Sequence, residues 1–197
     1  MVFDGKGNLY GATSSGGICQ QGICYGTIFE LKPPTHGTMW KESILYRFEP
    51  NEGLVSGVVF DRSGALYGAT LSSVYQLAQN NGVWTYTDLQ DFNGGANGYY
   101  LLGGVIPDEA GNVYGTTAGG GTGDGIVFEL SPPRDGGTWT ETVLHDFSGS
   151  PDGDEPTGDL VFGKDGFLYG TTLSGGIKQK CGMYDLQGCG AVFRVAP

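Results

Sequence analysis

An all-β chain of about four repeated blades is what the sequence predicts, and three observations carry that prediction. Glycine, 38 of 197 residues, is combined with 11 Tyr, 10 Phe and 3 Trp, a mixture that suits tight turns joining aromatic and β-branched strands. No stretch shows the i, i+3, i+4, i+7 spacing of an amphipathic helix. Above all, FDGKGNLYGAT (3–13) returns as FDRSGALYGAT (60–70), PDEAGNVYGTT (107–117) and FGKDGFLYGTT (162–172), with its tyrosine at 10, 67, 114 and 169. Periods of 57, 47 and 55 residues between those tyrosines match a β-propeller blade better than the shorter repeat of a solenoid.

Each repeat supplies strand-like runs in a fixed order, here called A to D. Strand A is the short apolar run SGVVF (56–60), LGGVI (102–106) or GDLVF (158–162). A turn reading DGKGN, DRSGA, DEAGN or GKDGF follows, with the Gly and Asn residues that tolerate positive φ. Strand B is the Leu/Val-Tyr-Gly-Ala/Thr-Thr run. Strand C is GTIFELKPP (26–34), SVYQLAQ (73–79), GIVFELSPP (125–133) or GAVFRVAP (190–197). In it Phe29 and Leu31, Tyr75 and Leu77, Phe128 and Leu130, and Phe193 and Val195 flank a polar residue, so each apolar pair shares one sheet face. Strand D is WKESILYRF (40–48), WTYTDLQDF (84–92) or WTETVLHDF (139–147). The single domain 1–197 divides into blades near 1–55, 56–101, 102–157 and 158–197, the last without strand D. Nothing in residues 1–3 replaces that strand, so the chain reads as part of a longer propeller or an open arc.

The recurring GNLYGAT, GTIFELKPP and WTETVLHDF segments resemble the GloVer tandem repeat of bacterial exported proteins across essentially the whole chain. Blade 2 departs from that pattern: residues 70–73 lack the Gly-Gly loop, and Leu77-Ala78 replaces the Leu-x-Pro-Pro ending. The resemblance implies a secreted or surface repeat protein and brings no catalytic residues with it.

A net charge of −11 argues against nucleic acid and anionic membranes as partners, and no apolar run of about 18 residues is present to span a membrane. Because Tyr10, Tyr67, Tyr114 and Tyr169 recur at one structural position, the Tyr-Gly-Ala/Thr-Thr motif reads as scaffold. Its glycine admits a close neighbour, its tyrosine supplies apolar surface with a polar tip, and its threonine bonds across strands. Cys19 with Cys24, and Cys181 with Cys189, lie in the same B–C loop of the first and last blades, which suggests two local disulfides of about 2–3 kcal/mol each. Zinc is the rival reading, but neither spacing is a usual ligand pair, and His36 and His145 fall in a C–D turn and on a strand. His145 aligns with Tyr46 and Gln90 and reads as a filler of the outer strand. Disulfides imply an oxidising compartment, whereas MVFDGKGN is no signal peptide; a fragment of a longer gene product reconciles the two.

Asp152, Asp154, Glu155 and Asp159 place four carboxylates in SGSPDGDEPTGD (148–159), a density that suits Ca²⁺ in a flexible loop or simply a solvated turn. Alternating strand direction puts D–A and B–C loops on one rim, where Tyr99 and Tyr100 add exposed aromatics. The expected function is therefore a non-enzymatic secreted or cell-surface module. It would present that rim to a glycan, a protein or envelope material and need no cofactor. A calcium-assisted hydrolase or lyase using rim carboxylates is one alternative, and a purely structural spacer is another.

Overall fold

The computed structural model describes residues 1–20, 22–49, 56–177 and 188–197. In blade 1, β1 (Val2–Phe3), β2 (Leu9–Thr13), β5 (Thr27–Lys32) and β6 (Lys41–Arg47) form an antiparallel sheet, while β3 (Cys19–Gln20) and β4 (Ile23–Cys24) make a separate small hairpin. Blade 2 holds β7 (Val59–Phe60), β8 (Leu66–Ala69), β9 (Ser73–Asn80) and β10 (Val83–Asp91). Blade 3 holds β11 (Ile106–Pro107), β12 (Val113–Thr117), β13 (Ile126–Ser131) and β14 (Thr140–Asp146). Blade 4 holds β15 (Asp154–Pro156), β16 (Val161–Phe162), β17 (Leu168–Ser174) and β18 (Val192–Val195). The result is a four-bladed β-propeller with a single short 3₁₀ turn, Gly95–Asn97, as helix among the described residues.

Strand A is longer than its apolar run and is broken in the middle. Both β15 and β16 run antiparallel to β17, and Asp154↔Ser174 and Val161↔Tyr169 differ in register by two. The two segments are thus one interrupted strand on one edge of β17. Blade 3 repeats this, with Tyr99 bridging Gly119 and Ile106 pairing Tyr114, and blade 2 bonds Ser56 N to Ala69 O ahead of β7. Asp154–Pro156 is therefore strand, where the composition of 148–159 reads as an open loop.

In blades 1 to 3 an aspartate closes the A–B turn, where blade 4 has Gly163. Asp4 Oδ1 accepts Lys6 N (2.8 Å) and Asn8 N (2.9 Å), Asp61 Oδ1 accepts Ala65 N (2.9 Å), and Asp108 Oδ1 accepts Ala110 N and Asn112 N (both 2.8 Å). Such side-chain to backbone bonds fix a tight turn, and Gly7, Gly64, Gly111 and Gly166 supply the positive φ that it needs. Strand D carries a second recurring device. Its pairing with strand C slips at Ile28/Phe29, Asp88/Gln90 and Val127/Phe128, leaving Leu45, Leu89 and Leu144 as the extra residue of a bulge. Each of these leucines packs into the apolar cluster beside its blade.

The core lies between blades. Tyr10, Ile28, Phe48, Val58, Leu66, Tyr75 and Leu77 join blades 1 and 2. Tyr67, Val74, Phe92, Val105, Phe128 and Leu130 are among those joining blades 2 and 3, and Tyr114, Val127, Phe147, Leu160 and Leu168 join blades 3 and 4. Among the described residues these are the three buried clusters, and none joins blade 4 to blade 1. Each buried aromatic or aliphatic side chain in them contributes about 1.5–3 kcal/mol, so blades hold one another in place.

Candidate functional site

The four motif tyrosines take up structural positions. Gly11, Gly68, Gly115 and Gly170 lie opposite Phe29, Tyr75, Phe128 and Phe193. A methyl group on Gly11 or Gly115 would sit 2.6 or 2.5 Å from Cζ of the facing phenylalanine, and Gly68 and Gly170 are as tightly covered. Tyr10 donates to Glu30 Oε1 (2.7 Å), Tyr114 to Asp108 Oδ2 (3.0 Å) and Tyr169 to Asp165 Oδ2 (2.7 Å), while Tyr67 accepts from Gln76 Nε2. Burial first, and then for Tyr10 and Tyr114 the neighbouring Glu30 and Asp108, push these phenols upward; burial does the same to Tyr67. Tyr10, Tyr67 and Tyr114 are thereby held in the neutral phenol form at physiological pH. Thr13 bonds across the sheet to Thr27 (3.1 Å), as the strand pairing suggests, but Thr117 and Thr172 donate to carbonyls two residues on (2.9 Å each).

On the D–A and B–C rim, β3 and β4 are joined by a Cys19–Cys24 disulfide between directly opposed residues. Cys181, and with it the expected Cys181–Cys189 pair, lies outside the described residues. Tyr99 and Tyr100 stand next to one another edge-to-face, centroids 5.0 Å apart, and are 40 % and 55 % exposed. Tyr99 is tied at both ends, its N bonding Gly119 O (2.8 Å) and its O accepting Gly119 N (3.2 Å). A side chain on Gly119 would run into the Tyr99 ring, so this glycine is what lets the ring lie on the B–C loop of blade 3. Tyr100 has φ +61°, a left-handed conformation that a bulky residue adopts at a cost of about 1–2 kcal/mol.

The four carboxylates of 148–159 do not converge. Asp152 accepts His145 Nε2–H (3.0 Å) and Ser148 N (3.2 Å), Asp154 accepts Ser174 Oγ (2.9 Å), and Asp159 accepts Gly104 N (2.6 Å). Glu155 occupies a second left-handed position, φ +53°. Among the described residues no group of three or more His, Cys, Asp and Glu side chains is placed to hold a metal ion. Asp124 lies close to Asp146 and Asp154, and burial together with those charges raises its carboxyl. The His145–Asp152 contact is one that the sequence conceals. It arises because the strand-D bulge re-aims His145, whose ring meets Phe147 edge-on at 4.7 Å, toward the returning loop.

The opposite rim holds a cleft of about 550 Å³ floored by Phe60, Pro107 and Phe162, the last residues of strand A in three blades. Its charged groups are already engaged. Asp61 and Asp108 close their turns, and Arg62 pairs with Glu109 across blades.

Fold and surface together define a β-propeller repeat protein whose recurring polar residues build turns and blades. The Gloeobacter/Verrucomicrobia repeat model matches residues 1–197, and the chain belongs to that family, the GloVer repeat. Comparison with curated proteins and with solved structures gave no match. Among the described residues, no helix is long and apolar enough to cross a membrane.

Proposed function

We propose that this chain is a non-enzymatic binding module of an exported or cell-surface protein, and that it meets a glycan or other envelope polymer on the rim formed by the D–A and B–C loops. The observation that supports this reading most directly is the Tyr99–Tyr100 pair. Two exposed rings are held edge-to-face, and one of them keeps an unfavourable backbone conformation. Strained residues of this kind concentrate where function demands a fixed shape, and aromatic faces present a flat apolar surface with a polar tip. The Cys19–Cys24 disulfide agrees with an oxidising location. Neighbouring Asp124, Asp146 and Asp154 make the rim acidic, which favours neutral or cationic envelope polymers over polyanions.

The test is co-sedimentation of the purified protein with insoluble envelope polysaccharide. The comparison is with Tyr99→Ala, Tyr100→Ala, and Phe60→Ala on the opposite rim. Retention by the native protein and by Phe60→Ala, with loss of at least about tenfold in either tyrosine variant, an effect of about 1.4 kcal/mol, would support the reading. Equal retention by all four proteins, or by none, would refute it.

A further inference from the structure

The cleft on the A–B rim combines fixed walls with one loose ion pair. Phe60, Pro107 and Phe162 end strand A in three consecutive blades and bring their side chains to a single opening of about 550 Å³, a size suited to small molecules. The floor is held from beneath. Phe60 meets Tyr10 edge-on with centroids 4.9 Å apart, Phe162 meets Tyr114 at 5.5 Å, and the buried clusters between blades 2 and 3 and between blades 3 and 4 keep the three strands together. Two of the wall carboxylates are fixed as well. Asp61 accepts Ala65 N and the Ser63 hydroxyl, and Asp108 accepts Asn112 N and the Tyr114 hydroxyl, so neither moves without opening its turn.

Arg62 and Glu109 differ from these. They stand at the turn position where blades 1 and 4 carry Gly5 and Lys164, and they pair with one another from neighbouring blades. Both side chains are 74 % exposed, and an ion pair so open to water is readily exchanged. Among the described residues, Arg62 is the one group that Glu109 bonds. The lining sets three carboxylates, Asp61, Asp108 and Glu109, against the one guanidinium of Arg62. A cleft of one net sign with apolar walls concentrates ions of the other sign, and aromatic faces attract cations too.

We propose that this cleft binds a small organic cation, an ammonium or guanidinium head on an aromatic or aliphatic body, and that Arg62 is a built-in competitor for it. The body of the ligand lies on Phe60, Pro107 and Phe162. Its head takes Glu109 from Arg62, whose side chain turns out to solvent. Arg62 itself supplies the precedent, since a guanidinium already sits on this carboxylate beside the apolar floor. Once Arg62 has left, Asp61, Asp108 and Glu109 together repel an anion. The site lies on the rim opposite Tyr99 and Tyr100 and uses none of the residues of the polymer contact.

The experiment is isothermal titration calorimetry of the purified protein with phenethylammonium, with phenethyl alcohol as the neutral isostere and 3-phenylpropionate as the anion. The variants are Arg62→Ala, and Arg62→Ala combined with either Glu109→Ala or Tyr100→Ala. All three positions are exposed, so the native circular dichroism should be kept. Arg62→Ala is expected to bind phenethylammonium at least about tenfold more tightly than the native protein. Adding Glu109→Ala should remove that gain, and adding Tyr100→Ala should leave it intact. Phenethyl alcohol and 3-phenylpropionate should bind Arg62→Ala at least about tenfold more weakly than the amine. The proposal is overturned if Arg62→Ala binds the amine no better than the native protein, or if the gain survives loss of Glu109. Equal binding of the alcohol or the anion, or loss of the gain with Tyr100→Ala, would overturn it too.

Discussion

Tyr75 is the one strand-C aromatic that carries a hydroxyl where the other blades have Phe29, Phe128 and Phe193, and that hydroxyl is buried without a hydrogen-bond partner. An unmade bond on a buried polar atom costs about 1–3 kcal/mol, so Tyr75→Phe is expected to raise stability by about 1 kcal/mol, measured by urea denaturation. Glu141 poses a related problem with a charge. Gln90 donates to its Oε2 (3.1 Å), but its Oε1 is buried and unpartnered, and burial raises the carboxyl despite Gln90. A carboxyl raised in the folded state burdens stability above its folded pKa and ceases to do so once protonated. Glu141→Gln is therefore expected to raise the melting temperature at pH 7, with the gain shrinking as pH falls through the raised pKa. An advantage that does not change with pH would contradict that cause.

At the scale of the element, the glycine of strand B and the aromatic of strand C form a single device. Gly115→Ala is expected to cost about 1–3 kcal/mol as the Phe128 ring is driven toward Phe92 and Val105. The same change at Gly5, which meets nothing within 4 Å, should be nearly neutral. This device was legible in the sequence because both partners recur in every blade. So were the strand order, the turn residues and the Cys19–Cys24 link. Three things were not. The strand-D bulge adds Leu45, Leu89 or Leu144 without disturbing the apolar count, so no periodicity reveals it. The left-handed Tyr100 has no glycine or asparagine to announce it. The carboxylates of 148–159 are dense in sequence, yet strand pairing at Asp154–Pro156 sends them to separate donors, and density alone says nothing of convergence. Asp154, Asp159 and Asp152 instead bond Ser174, Gly104 and His145.

Across residues 1–197, stability accrues joint by joint: among the described residues, blades 2 and 3 are packed on both faces and blades 1 and 4 on one. Native-state hydrogen exchange is expected to show the slowest amides in β8, β9, β12 and β13, with β5 and β18 opening earlier. Uniform protection in all four blades under monomeric conditions would contradict a joint-by-joint account. The three joints draw on the same repeat positions, and this has one last implication, which concerns ancestry. Because Tyr10, Tyr67 and Tyr114 on one side and Leu66, Val113 and Leu168 on the other build all three joints, a recombination event that gains or loses one whole period re-forms a joint from positions already in use. Such arrays can change length by unequal crossing-over without passing through a misfit intermediate. Their rim loops, which take no part in the joint, are free to diverge blade by blade, as the 47-residue spacing between Tyr67 and Tyr114 against 57 between Tyr10 and Tyr67 records.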